Sequence, residues 1–163
     1  MKKVIVSFFV LASLFIHESA RSQQLTHEKA IDRLLDHYTK SINTADTSLA
    51  RSLFSSKEAL SFIHPRGHEK GWLQIRDQFY IGTMGNLLSG RQLVITESAV
   101  HQLDKKHAWV EFYWDFHATF KEGNQPLHTK GRESQLLIKE NGDWKIVHIH
   151  YSGLPVSGNG QGF

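Results

Sequence analysis

The chain has 163 residues, 40% of them hydrophobic and 21% charged, a size and balance that suit one domain around one packed core. It contains no cysteine, which excludes both a disulfide scaffold and a lipid anchor carried on a cysteine. Of the formal charge of +3, Lys2, Lys3 and Arg21 against Glu18 account for +2, and the +1 left over gives no case for a nucleic-acid or anionic-membrane partner.

Lys2 and Lys3 precede an apolar run from Val4 to Ile16, and Ala20-Arg21-Ser22 puts small residues at the −3 and −1 positions of a signal-peptidase site. Residues 1–22 are therefore expected to be a signal peptide and residues 23–155 an exported domain, periplasmic or secreted, without membrane attachment once cleaved. Leu25 to Asn43 carries apolar residues at Ile31, Leu34, Leu35, Tyr38 and Ile42, the stripe of an amphipathic helix, with Thr26 as its N-cap. Asp46 caps a short second helix that turns Leu49, Leu53 and Phe54 inward, folded back on the first. A strand over Ala59 to His64 ends at Pro65 and Gly67, leaving His64 and His68 as expected loop residues. Gly71 opens a third helix, whose stripe is Trp72, Ile75, Phe79 and Tyr80, and which loosens over Gly82 to Gly90.

From Gln92 onward the pattern is a meander. Leu93 to Leu103 and Ala108 to Lys121 read as strands joined around Asp104-Lys105-Lys106. On the second of them Val110, Phe112, Trp114, Phe116, Ala118 and Phe120 share an apolar face that belongs in the core or a pocket. The opposite face carries Trp109, Glu111, Tyr113, Asp115, His117 and Thr119, a mixture suited to a subunit interface. Asn141-Gly142 is a strong hairpin signal, because both residues tolerate the positive φ of a type I′ turn, and it should pair Arg132 to Glu140 with Asp143 to Ser152. Uniform alternation along the last strand puts Trp144, Ile146, His148, His150 and Ser152 on one face, and Lys145, Val147, Ile149 and Tyr151 on the other. The first set looks like a pocket wall, apolar at the bottom and capped by histidines. Residues 156–163 read as a glycine-rich tail.

The segment GDWKIVHIHYSG resembles the last strand of the SnoaL-like branch of the nuclear transport factor 2-like superfamily. It is most similar to the association (hub) domain of calcium/calmodulin-dependent protein kinase II, through the Gly-Asp-Trp opening, the His148-x-His150-x-Ser152 alternation and Gly153. Over residues 26–155 the likeness is weaker. It implies an α+β cone, with three N-terminal helices packed in a curved mixed or antiparallel sheet and a pocket between them. Members include isomerases, cyclases and dehydratases acting on apolar rings as well as oligomerisation and ligand-binding modules, so fold alone does not choose among them. The hub likeness places Gln135 and Trp114 where that family has pocket arginines. Arg132 would substitute if a bulge shifted the strand's phase.

Three functions follow as expectations: binding of a small apolar or ring-shaped molecule, acid-base proton transfer on such a ring, or a homodimeric or larger assembly without turnover. The expected ligand-binding residues are Tyr38, Trp114, Arg132, Glu133, Gln135, His148, His150 and Ser152, with Glu133 or His150 as candidate base. Whether Glu133, Gln135 and Leu137 or Arg132, Ser134 and Leu136 face inward is left open by alternation. His148 and His150 are spaced for two ligands of one ion. With no HExxH-type cluster to supply a third, neither a metal nor another cofactor is expected.

Overall fold

The computed structural model describes residues 27–154; the expected signal peptide, the Thr26 cap and the tail at 156–163 lie outside them. Residues 27–44 form α1, whose stripe of Ile31, Leu34, Leu35, Tyr38 and Ile42 is buried. The chain reverses through Ala45, at φ 52°, into α2 (Thr47–Leu53), where Asp46 caps the first turn by accepting from the backbone N–H groups of Ser48 and Leu49. A short hairpin follows, β1 (Ser61–His64) against β2 (Gly67–Lys70).

The third helix, α3, begins as α-helix over Gly71–Gln74 and continues as π-helix over Ile75–Leu87. Its buried residues Ile75, Phe79, Tyr80 and Met84 stand four, five and nine positions from the first, the wider spacing that i→i+5 bonding imposes. The glycines suit that winding. A Cβ at Gly82 would press on the Asp77 carbonyl at 3.1 Å, and one at Gly85 on the Tyr80 carbonyl at 3.2 Å. Where the sequence suggested a loosened end, the helix therefore continues. Arg91 then closes it by donating to the carbonyls of Met84 and Leu88.

Four long strands complete the sheet: β3 (Leu88–Gln102), β4 (His107–Phe120), β5 (Pro126–Glu140) and β6 (Asp143–Gly153). The order is β2-β1-β6-β5-β4-β3, antiparallel throughout except for the parallel pairing of β1 with β6. The β5–β6 turn uses Asn141 and Gly142 at φ 52° and 96°, the positive values expected there. The concave face of this curved sheet packs on the helices around Val110, Phe112, Leu137, Ile146 and Ile149, all buried. The result is a cone-shaped α+β fold of three helices in an open mixed sheet.

One irregularity decides what faces the cone. Leu136 pairs with His148, but Leu137 pairs with Ile146, so Val147 is an extra residue in β6. Before the bulge Trp144 and Ile146 point inward; after it Ile149 and Tyr151 do, and His148, His150 and Ser152 pass to the outer face. The expectation that all five of Trp144, Ile146, His148, His150 and Ser152 share one wall is corrected accordingly.

Candidate functional site

Between α1, α3 and the concave sheet lies a cavity of about 530 Å³, lined mainly by apolar groups including Ile42, Phe79, Met84, Leu93, Phe116 and Leu127. Tyr38, Trp114, Glu133 and Tyr151 also line it. Arg66 from the β1–β2 turn and Lys130 and Gly153 from the strand ends, all exposed, stand at its rim.

Glu133 is the one carboxylate among the described lining residues. Regular alternation on β5 turns Gly131, Glu133, Gln135 and Leu137 inward, which resolves the open phase, and sends Arg132 to the outer face beside Tyr113 and Ser152. The bulge that would have brought Arg132 inward sits on the neighbouring strand instead. The Glu133 carboxyl is buried. Burial pushes its pKa up to about 7, against the hydrogen bonds from the Gln135 amide and the Tyr38 hydroxyl, which favour the anion. The Gln135 bond measures 2.7 Å to Oε1. Tyr38 is itself fixed in a polar thread through the helices: Ser41 donates to the Tyr38 carbonyl at 2.7 Å, and the Tyr80 hydroxyl, 3.0 Å from Ser41 Oγ, donates to it in turn. Burial, reinforced by the nearby Glu133 carboxylate, raises the Tyr38 phenol well above its ordinary range, so it remains a donor.

Trp114 forms a second wall. It meets Tyr151 edge-on at 5.9 Å and crosses the backbone at Gly131, its cross-strand partner. Of the expected site residues, Tyr38, Trp114 and Glu133 meet at the cavity, with Gln135 buried behind Glu133. Arg132, His150 and Ser152 instead line a separate outer groove of about 440 Å³ with Glu97, Glu111 and Tyr113. Glu111 and Asp115 are on the outer face as expected.

Sequence reasoning missed His64 and Glu69. His64 and His68 are not loop residues but strand residues of β1 and β2, and His64 forms a buried pair with Glu69 across that hairpin, with Nε2 2.7 Å from Oε2. His64 Nδ1 accepts the Arg66 backbone N–H at 3.2 Å. Its ring stacks on Tyr151 at 5.6 Å and 12°, so this pair backs one cavity wall. His64 and Glu69 share one face of the hairpin on a diagonal, since Glu69 pairs with Phe62 and His64 with Gly67.

The chemistry this permits is a proton carried by Glu133 near neutral pH in an apolar enclosure, next to a neutral tyrosine donor. Among the described residues, no helix is long and apolar enough to cross a membrane.

Comparison with known proteins agrees with this architecture. The SnoaL-like domain family matches residues 31–157. A nuclear transport factor 2-like superfamily protein from Salmonella enterica serovar Typhimurium is 42% identical, superposes with a TM-score of 0.81, and is covered over 99% of its chain by 86% of this one. A candidate scytalone dehydratase from Novosphingobium aromaticivorans shares the fold at 14% identity and a TM-score of 0.73, with 83% of this chain covering 89% of that one. A candidate calcium/calmodulin-dependent protein kinase II association domain from Xanthomonas campestris does so at 19% identity and a TM-score of 0.63, with 77% of this chain covering 86% of that one. No curated protein matches. A domain match across most of the chain, joined to a relative of this identity, places the protein in the SnoaL-like domain family of the nuclear transport factor 2-like superfamily.

Proposed function

We propose that the protein binds a small, largely apolar, ring-sized molecule in the cone, with the molecule's single polar group held by Glu133 and Tyr38. The observation that carries this reading is a buried carboxyl, poised near neutrality, inside an otherwise apolar cavity of about 530 Å³. Burying a carboxyl without an opposite charge is costly, and residues that accept such a cost cluster at sites of function. The test is a titration with 2-naphthol, read through tryptophan fluorescence. Saturable one-to-one binding should weaken about tenfold in Glu133→Gln, the equivalent of one buried hydrogen bond. Binding that is non-saturable, or indifferent to Glu133, would overturn the reading.

Proton transfer is the second reading, favoured by the Glu133 pKa of about 7, which leaves both protonation states populated at neutral pH. It is checked by deuterium exchange at the α-carbons of a cyclic ketone, followed by NMR. Exchange above the rate in buffer that Glu133→Gln abolishes supports it, and no acceleration removes it.

We further propose export and assembly. The apolar run before Ala20-Arg21-Ser22 supports cleavage before Gln23, and intact mass of the mature protein checks it; an uncleaved, membrane-bound chain would sink the idea. Trp109, Tyr113 and Leu136 expose apolar surface on the outer face, which supports pairing of two copies there.

A further inference from the structure

We infer that Asp115, His117 and His128 form a binding site for a divalent late first-row transition ion such as zinc or copper, on the outer face of the sheet. The site is a product of register. Alternation puts Asp115 and His117 on one face of β4, and antiparallel pairing sets His128 of β5 directly opposite His117. The two imidazoles stack with centroids 3.9 Å apart and planes 14° from parallel. Both aim Nε2 at one oxygen: Asp115 Oδ1 is 3.0 Å from His117 and 2.7 Å from His128. One ligand atom from each of the three residues falls within 4.8 Å of the others.

Lys130 holds the second carboxylate oxygen, with Nζ 2.9 Å from Oδ2, and so leaves Oδ1 as a single ligand turned toward the imidazoles. Zinc–ligand bonds of about 2.0–2.1 Å in a tetrahedron require ligand atoms about 3.3 Å apart. To reach that separation the imidazoles need to open from Asp115 Oδ1 by about 0.3 Å at His117 and about 0.6 Å at His128. His117 and His128 are half-exposed and can do so. Two neutral imidazoles with one carboxylate form a borderline set that favours zinc, copper or nickel over calcium or magnesium. Three protein ligands leave a further position for solvent or another group. The Lys130 charge beside the carboxylate lowers the attraction for a cation.

The pair His148 and His150, which sequence spacing alone suggests, has no third ligand of this kind among the described residues. The trio stands on the opposite face of the sheet from the cavity, so the inference is independent of the ligand reading.

The experiment uses the chain without a polyhistidine tag and titrates zinc against a chromophoric indicator. One zinc per chain is expected, weakened at least about tenfold in His117→Ala and in His128→Ala. A double replacement of His148 and His150 by Ala should leave it unchanged. Zinc should also raise the melting temperature of the wild type, through binding to the folded state, but not that of His117→Ala. Circular dichroism of the metal-free variants, matching wild type, shows that the fold is intact. No uptake by the wild type, or uptake that persists when both His117 and His128 are replaced, would overturn the site.

Discussion

Trp114 occupies the space that a side chain at Gly131 would need. A Cβ built at position 131 collides with Cζ2 and Cε2 of the indole on one side and with the Ser152 carbonyl on the other. The glycine is thus what allows β5 to pass beneath the tryptophan and still pair with β6.

Gly131→Ala should accordingly destabilise the protein by about 1–3 kcal/mol, the range for overpacking. Because the displaced indole is a cavity wall, 2-naphthol affinity should fall as well. Thermal denaturation and the fluorescence titration on one preparation check both; a variant with unchanged stability would show that Trp114 can relocate freely.

Glu133 makes stability depend on pH. Its pKa rises from the ordinary 4.5 to about 7 on folding, with burial as the cause. Between those values the folded chain binds more protons than the unfolded one, so its contribution is fully present below the lower value and is lost as pH rises through the upper. The size is on the order of 3 kcal/mol across that window. Urea melts at pH 5 and pH 8 should differ in this sense. In Glu133→Gln, which cannot ionise, that part of the difference should disappear; an identical slope in the variant would assign it to other groups.

His150 offers the converse test. It is exposed beyond the Val147 bulge and lines the outer groove, not the cavity. His150→Ala should leave 2-naphthol affinity within about twofold and stability within about 0.5 kcal/mol, as for other surface replacements. A tenfold affinity loss would mean that β6 carries no bulge in solution.

Assembly is checked at Tyr113, which is 44% exposed in the middle of the outer face. Light scattering should find the wild-type protein larger than a monomer at micromolar concentration, and Tyr113→Glu should shift it toward monomer with unchanged circular dichroism. A monomeric wild type removes the argument for an interface there.

Which parts of this were legible in the sequence depended on whether the signal was local. The Asn141-Gly142 turn, the Asp46 cap and the apolar face from Val110 to Phe120 follow from neighbouring residues and are present as expected. The orientation of His148 and His150 was misjudged, since an alternation argument assumes constant phase and one inserted residue, Val147, inverts it. Nothing local in the Val147 neighbourhood marks that bulge, because valine is an ordinary strand residue. The His64 to Glu69 pair and the His117 to His128 stack rest on register across a turn, which composition alone does not set. The π-winding of α3 was hidden for a related reason: its stripe begins like that of an α-helix and departs from it only by Met84.

The parallel pairing of β1 with β6 has a consequence for the order of folding. Ser61 pairs with His148 and Ile63 with His150, so β6, which follows the other described strands along the chain, lies in the interior of the sheet, between one of the first strands and β5. During synthesis the meander of β3, β4 and β5 can assemble as it emerges, since each strand pairs with its predecessor. The early β1–β2 hairpin has no edge to join until residues beyond Asp143 leave the ribosome. Contacts this distant along the chain slow folding and prolong exposure of the unpaired β5 edge. The cone therefore closes only once β6 has been made, and any truncation that removes β6 would separate the hairpin from the sheet altogether.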